Sequence, residues 1–130
     1  MSDRDDALEL WRAATRDLRA LRGMVNPGIF GDENFGQTAQ QAVEKALKTW
    51  LCLVGRTYPF SHDIDHLLTC LEQTGQNVGA FRDLDEFTPY ASVLRYRASQ
   101  VSDQPLDRAD TIRRVAALFE RLRGLIGEPA

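Results

Sequence analysis

Arg56 and His62 are separated by five residues in the stretch GRTYPFSHDIDHLL, residues 55–68, and His66 follows one helical turn after His62. These residue types could work on a phosphate, and RNA cleavage is one such reaction. Cleaving RNA without a metal needs a base to take the proton of the 2′-hydroxyl, an acid to protonate the leaving oxygen, and a cation to steady the phosphorane. Histidine titrates near neutrality and serves the first two roles. Arginine stays charged and grips phosphate with a planar fork. A histidine at a helix N-terminus also gains backbone N–H groups aimed at an anion. One histidine per chain is thin for acid and base together, and a two-fold dimer would set two Arg56/His62 pairs face to face. Tyr58 and Tyr96 are further candidates to assist. The spacing also arises by chance. His62 would then cap or pack the start of a helix, with Arg56 paired to an acidic neighbour. The residues alone favour this second reading over the catalytic one.

Other constellations are weaker. His62 and His66 are four apart and share a helix face, a spacing that suits zinc with Asp63 or Asp65 adding an oxygen, but no third strong ligand is evident. No metal and no cofactor are therefore expected. The run Arg95-Tyr96-Arg97 suits phosphate binding and base stacking, or equally a solvated helix end with charge matched to the macrodipole. Arg12, Arg16, Arg19 and Arg22 are interleaved with Asp5, Glu9 and Asp17 and read as a solvated face. Cys52 and Cys70 sit among leucines as small core residues rather than reactive thiols. Trp11 and Trp50 lie on apolar stripes, as core or dimer contacts. There is no Gly-rich phosphate loop, no Gly-x-Ser-x-Gly and no Cys-x-x-Cys.

The elements that must position these residues are helical nearly throughout. Ala7, Trp11, Ala14, Leu18 and Leu21 recur at four- and three-residue steps over residues 4–22. In residues 33–54 a broad stripe runs from Phe35 through Ala39, Ala42, Val43, Ala46, Leu47, Trp50 and Leu51 to Val54. Gln37, Gln40, Gln41, Glu44, Lys45 and Lys48 fill much of the remainder, with Glu44 and Lys48 as an i,i+4 pair. Gly55 is a left-handed stop. Ser61 is the expected N-cap of a third helix, with Ile64, Leu67, Leu68 and Leu71 inward and Gly75 at its end. A short helix is expected near Phe81. Thr88-Pro89 reads as N-cap and N1 of another helix carrying Tyr90, Ala91 and Leu94. Asp107 or a neighbour opens the last, with Ile112, Val115, Ala116, Phe119, Leu122 and Ile126 inward. The expected fold is all-α, an up-down four-helix bundle with a fifth short or accessory helix. Short connections would place Arg56, His62 and Arg95-Tyr96-Arg97 at one pole.

The chain of 130 residues suits a single domain spanning 1–130, and its 43% hydrophobic content supports a packed core. A net charge of −3 excludes a polybasic nucleic-acid binder, although a local arginine cluster can act within an acidic whole. The charged N-terminus MSDRDDALEL is not a secretory signal, and no apolar run approaches the roughly 20 residues that span a bilayer. A cytoplasmic protein without membrane contact is expected.

AQQAVEKALKTWL at 39–51, SHDIDHLL at 61–68, the Trp11/Ala14 helix and TPYASVLRY at 88–96 together resemble the HEPN domain, named for higher eukaryotes and prokaryotes nucleotide binding. The likeness covers roughly residues 5–125. It implies an all-helical, commonly dimeric domain. Many members carry an Arg-x(4–6)-His motif, which Arg56-x5-His62 matches, and act as metal-independent endoribonucleases. Small prokaryotic members are often encoded beside a minimal nucleotidyltransferase as toxin–antitoxin pairs. Others are non-catalytic modules that bind a nucleotide or support the substrate recognition of the nucleotidyltransferase. The resemblance thus implies a homodimer, RNA or a nucleotide as ligand, and Arg56 and His62 as catalytic residues. Two positions depart from the pattern: Thr57 stands where active members often have Asn, Asp or His, and Ile64 where some toxins carry a tyrosine modified with AMP.

Overall fold

In the computed structural model the described residues, 3–91 and 105–127, form four α-helices and one run of 3₁₀ turns. These are α1 (Asp3–Arg22), α2 (Asp32–Leu53), α3 (Ile64–Gln73), the 3₁₀ helix (Gly79–Tyr90) and α4 (Arg108–Ile126). No strand occurs among the described residues. The expected all-α bundle with a fifth accessory helix is what forms. Arg95, Tyr96 and Arg97 lie outside the described residues, as does Leu94.

The α1 stripe Ala7, Trp11, Ala14, Leu18 and Leu21 is buried throughout. It packs mainly on α2, which also touches α3, the 3₁₀ helix and α4 and is the centre of the bundle. Trp11 stacks on Phe119 of α4 with centroids 5.2 Å apart. Trp50 meets Phe81 edge-on, and its Nε1–H donates to Gln76 Oε1 at 3.2 Å. A central helix is surrounded on nearly all sides, so its polar strip is buried too: Gln40, Glu44 and Lys48 are in the interior rather than on the surface. This corrects the amphipathic reading of α2.

Gly36 on α2 has a packing reason. A Cβ there would fall 2.3 Å from Tyr90 Cδ1 at the end of the 3₁₀ helix. Gly36→Ala gains about 1 kcal/mol of helix propensity. Overpacking a ring that cannot swing away costs up to about 3 kcal/mol. A net loss of about 1–2 kcal/mol is expected in denaturant unfolding; unchanged or increased stability would contradict this account of the contact.

Two helix starts differ from expectation. Asp63, not Ser61, caps α3: its carboxylate accepts from the His66 N–H at 3.3 Å, while Ser61 Oγ accepts from the Asp63 N–H at 3.1 Å. The carboxylate lies three residues before a free helical N–H, and the hydroxyl is spent forming the turn that leads in. Thr88-Pro89 does not begin a helix. Both lie in the 3₁₀ helix, which ends at Tyr90, and Ala91 follows with extended backbone at ψ 140°. The Thr88 hydroxyl accepts from the Ile64 N–H and donates to Asp85, so it caps α3 from a distance. Asp107 does cap α4, accepting from the Asp110 N–H. Along α4, Val115, Phe119, Leu122 and Ile126 are buried as expected, and Leu118 joins them. Ile112 and Ala116 are only half-buried.

Candidate functional site

The site is built on the connection between α2 and α3. Gly55, at φ 79°, closes a Schellman motif: its N–H bonds Cys52 O at 3.1 Å and the Arg56 N–H bonds Leu51 O at 2.9 Å. The chain then does not turn over at the pole. Residues 57–63 run back along α2, since Tyr58 lies by Lys48 (5.3 Å from Nζ to the ring centroid) and His62 lies by Glu44. Lys48 precedes the end of α2 by about one and a half turns, and Glu44 by about two and a half. α3 then returns toward the C-terminal end of α2, where Gln76 meets Trp50.

This corrects the expectation that Arg56 and His62 share a pole. Arg56 Nη1 donates to Cys70 O and to Gln73 Oε1, both at 2.9 Å, at the C-terminal half of α3. His62 immediately precedes the N-cap of that helix. About 10 Å of helix rise separates Asp63 from Cys70, so the two side chains are not brought together within one chain. Among the described residues Arg56 has no carboxylate within 4 Å, and its donated hydrogen bonds both come from Nη1.

His62 stands in a built network. Its Nδ1 is 2.9 Å from Glu44 Oε1. Gln40 Nε2 donates to the same Oε1 at 2.8 Å and to the His62 carbonyl at 3.1 Å. Lys48 Nζ donates to Glu44 Oε2 at 3.0 Å. Burial pushes the Glu44 carboxyl up, but the hydrogen bonds from Gln40, His62 and Lys48 and the charge of Lys48 outweigh it and hold the group below the ordinary carboxylate range. An ionised carboxylate only accepts, so Nδ1 carries the hydrogen and Nε2 is the nitrogen left for chemistry. Phe60, 98% exposed, sits edge-on to the His62 ring at 5.9 Å. His66 is exposed, with Nδ1 3.3 Å from Ser61 Oγ, and belongs to the cap rather than to this network.

A second feature lies on the other side of Arg56. A cleft of 560 Å³ opens between α1 and the turn at 55–58, lined among others by Asp6, Glu9, Arg12, Arg16, Arg56 and Tyr58. Cys52 lines it too and is half-buried, whereas Cys70 is in the core; the two are not joined in a disulfide.

Sequence reading missed Glu44, Gln40 and Lys48 as site residues. Their signal was the i, i+4, i+8 polar strip on the most apolar helix of the chain, which must be satisfied by something if that helix is central. It also read Arg12 and Arg16 as part of a solvated face, whose alternation with acids conceals that, of the five α1 arginines, these two line the cleft with Arg56.

The chain is thus a small helical bundle that holds a histidine on a buried carboxylate and carries a cleft lined in part by arginines. The HEPN domain matches residues 7–125, and the chain belongs to that family. No curated protein and no solved structure matches it. Among the described residues, no helix is long and apolar enough to cross a membrane.

Proposed function

We propose that this HEPN protein acts on RNA as a metal-independent endoribonuclease. The observation that carries the reading is the Glu44–His62 pair, which fixes the tautomer and orientation of an otherwise half-exposed imidazole. His62 Nε2 takes the 2′-hydroxyl proton, the 2′-oxygen attacks phosphorus, and the 5′-oxygen leaves with a proton from a protonated histidine. The products are a 2′,3′-cyclic phosphate and a 5′-hydroxyl. Arg56 steadies the charge on the phosphorane. Because Arg56 and His62 bracket α3 in one chain, a homodimer that places the arginine of one protomer near the histidine of the other completes the site and supplies the second histidine. Within this reading the protein is the toxin of a pair whose antitoxin is a minimal nucleotidyltransferase, and it works in the cytoplasm.

One observation favours a second reading, a non-catalytic module that binds a nucleotide or presents a substrate to a nucleotidyltransferase. Arg56 already spends Nη1 on α3. The two readings separate on single-stranded RNA incubated with the protein in EDTA. The nuclease reading expects fragments ending in 2′,3′-cyclic phosphate and no cleavage of DNA of the same sequence. RNA bound but left intact would replace it with the module.

A further inference from the structure

Arg12 and Arg16 are one turn apart on α1, exposed, and line the same 560 Å³ cleft as Arg56. Among the described residues neither guanidinium has a carboxylate within 4 Å. Arg113, Arg114, Arg123, Arg82 and Arg108, by contrast, each hold one. Three arginines from two elements thus line one concavity: Arg12 and Arg16 of α1, where Arg16 Nε donates to Arg12 O at 3.5 Å, and Arg56 of the turn, whose Nη1 is held by α3. Asp6 and Glu9 line the same cleft. A bare phosphate gains nothing from carboxylates, but ribose hydroxyls donate to them. Tyr58 also lines the cleft; its ring is 37% exposed, has Lys48 Nζ 5.3 Å from its centroid, and is of a kind on which bases stack.

We propose that this cleft is a nucleotide-binding site, with Arg12, Arg16 and Arg56 on phosphate, Asp6 and Glu9 toward ribose hydroxyls and Tyr58 against the base. It deepens the RNA reading above, from which it takes the identity of the strand; its own residues on α1 are separate from His62. The shared chemistry, a ribonucleotide phosphate, has two sources: a strand passing from the His62 network along Tyr58 into the cleft, or a free mononucleotide.

The test is binding in EDTA, in the His62→Ala background so that nothing is cut, by fluorescence anisotropy with a short single-stranded RNA and by calorimetry with adenosine 5′-monophosphate. Arg12→Ala/Arg16→Ala is compared with Arg19→Ala/Arg22→Ala, an equal loss of charge on exposed α1 positions outside the cleft. The cleft pair is expected to weaken RNA binding about tenfold or more and to reduce the log–log salt slope by about 1.4, as two lost phosphate contacts require. The control pair should change affinity less than about twofold. Equal weakening by both pairs would reduce the effect to general charge and overturn the site. RNA binding untouched by the cleft pair would overturn it while leaving the RNA reading intact. Monophosphate binding that the cleft pair abolishes, with no RNA bound by either protein, would keep the cleft and sink the RNA reading. Binding of neither probe would remove both.

Discussion

Glu44→Ala is expected to destabilise the protein by about 3–5 kcal/mol, because it strips a buried cation of its counter-charge. Lys48 and Glu44 have side-chain exposures of only 11% and 7%. Removal of the carboxylate leaves the Lys48 ammonium, the Gln40 amide and His62 Nδ1 without their common acceptor. Urea unfolding measures this, and a loss below about 1 kcal/mol would mean that the network reorganises freely. Glu44→Gln keeps the volume and separates orientation from stability. One amide oxygen cannot accept from Gln40, His62 and Lys48 at once, so the histidine loses its fixed partner. RNA cleavage should fall at least about 10–100-fold, the loss typical when a carboxylate that orients a metal-ligating histidine is removed. The loss should fall on kcat with KM retained, and the shape of the pH–rate profile should change; a merely structural Glu44 would leave that shape alone. The carboxyl is also a pH device. Its folded pKa lies below the ordinary value of 4.5. The stability it contributes is therefore fully present above that value and is lost as pH falls through the lower folded one.

Arg108→Ala is expected to cost about 3 kcal/mol, the low end for a buried ion pair because Asp32 retains some solvent. Arg108 is 8% exposed and joins three parts of the chain. Nη1 donates to Met24 O after α1 at 2.7 Å, and Nη2 to Asp32 Oδ1 at the start of α2, also at 2.7 Å. Its guanidinium lies over the Phe35 ring at 4.7 Å. Alanine leaves the Met24 carbonyl and one face of Phe35 unmatched. Arg108→Lys keeps the charge but not the fork, and should recover less than half of the loss. Asp32 is held below the ordinary carboxylate range, first by the Leu106 N–H and then by Arg108, so this pair too weakens only on the acid side. A midpoint of unfolding unchanged by Arg108→Ala would show that these contacts add nothing net.

The same residues show what a sequence conveys and what it withholds. The α1 stripe and the stops at Gly55 and Gly75 are local: helical period and a left-handed glycine are written in neighbouring residues. Asp107 is legible for the same reason. Ser61 and Thr88 mislead because each bears a good cap side chain, and only the folded chain shows where its oxygen is used. Ser61 forms the lead-in turn of α3, and Thr88 reaches the Ile64 N–H from another element. The Gln40–Glu44–Lys48 strip misleads for a different reason. Polar residues at helical spacing describe a solvent face unless the helix is central, and centrality is a property of the whole bundle. The direction of the 56–63 segment is hidden as well. Eight residues are long enough to turn over or to run back about 15 Å, and only the contact of His62 with Glu44 decides. Arg56-x5-His62 was thus readable as a motif, but its geometry was not: the pair belongs to two ends of α3, and the partner that orients His62 lies 18 residues earlier.

Under the proposed function His62 transfers the proton in RNA cleavage. Single-turnover cleavage of single-stranded RNA in EDTA, wild type beside His62→Ala, tests it most directly. The expected result is cleavage by the wild type and a loss of about 10²–10⁴-fold in the variant at unchanged RNA affinity. Cleavage by His62→Ala at the wild-type rate, or a wild type that binds RNA and never cuts it, would contradict the claim.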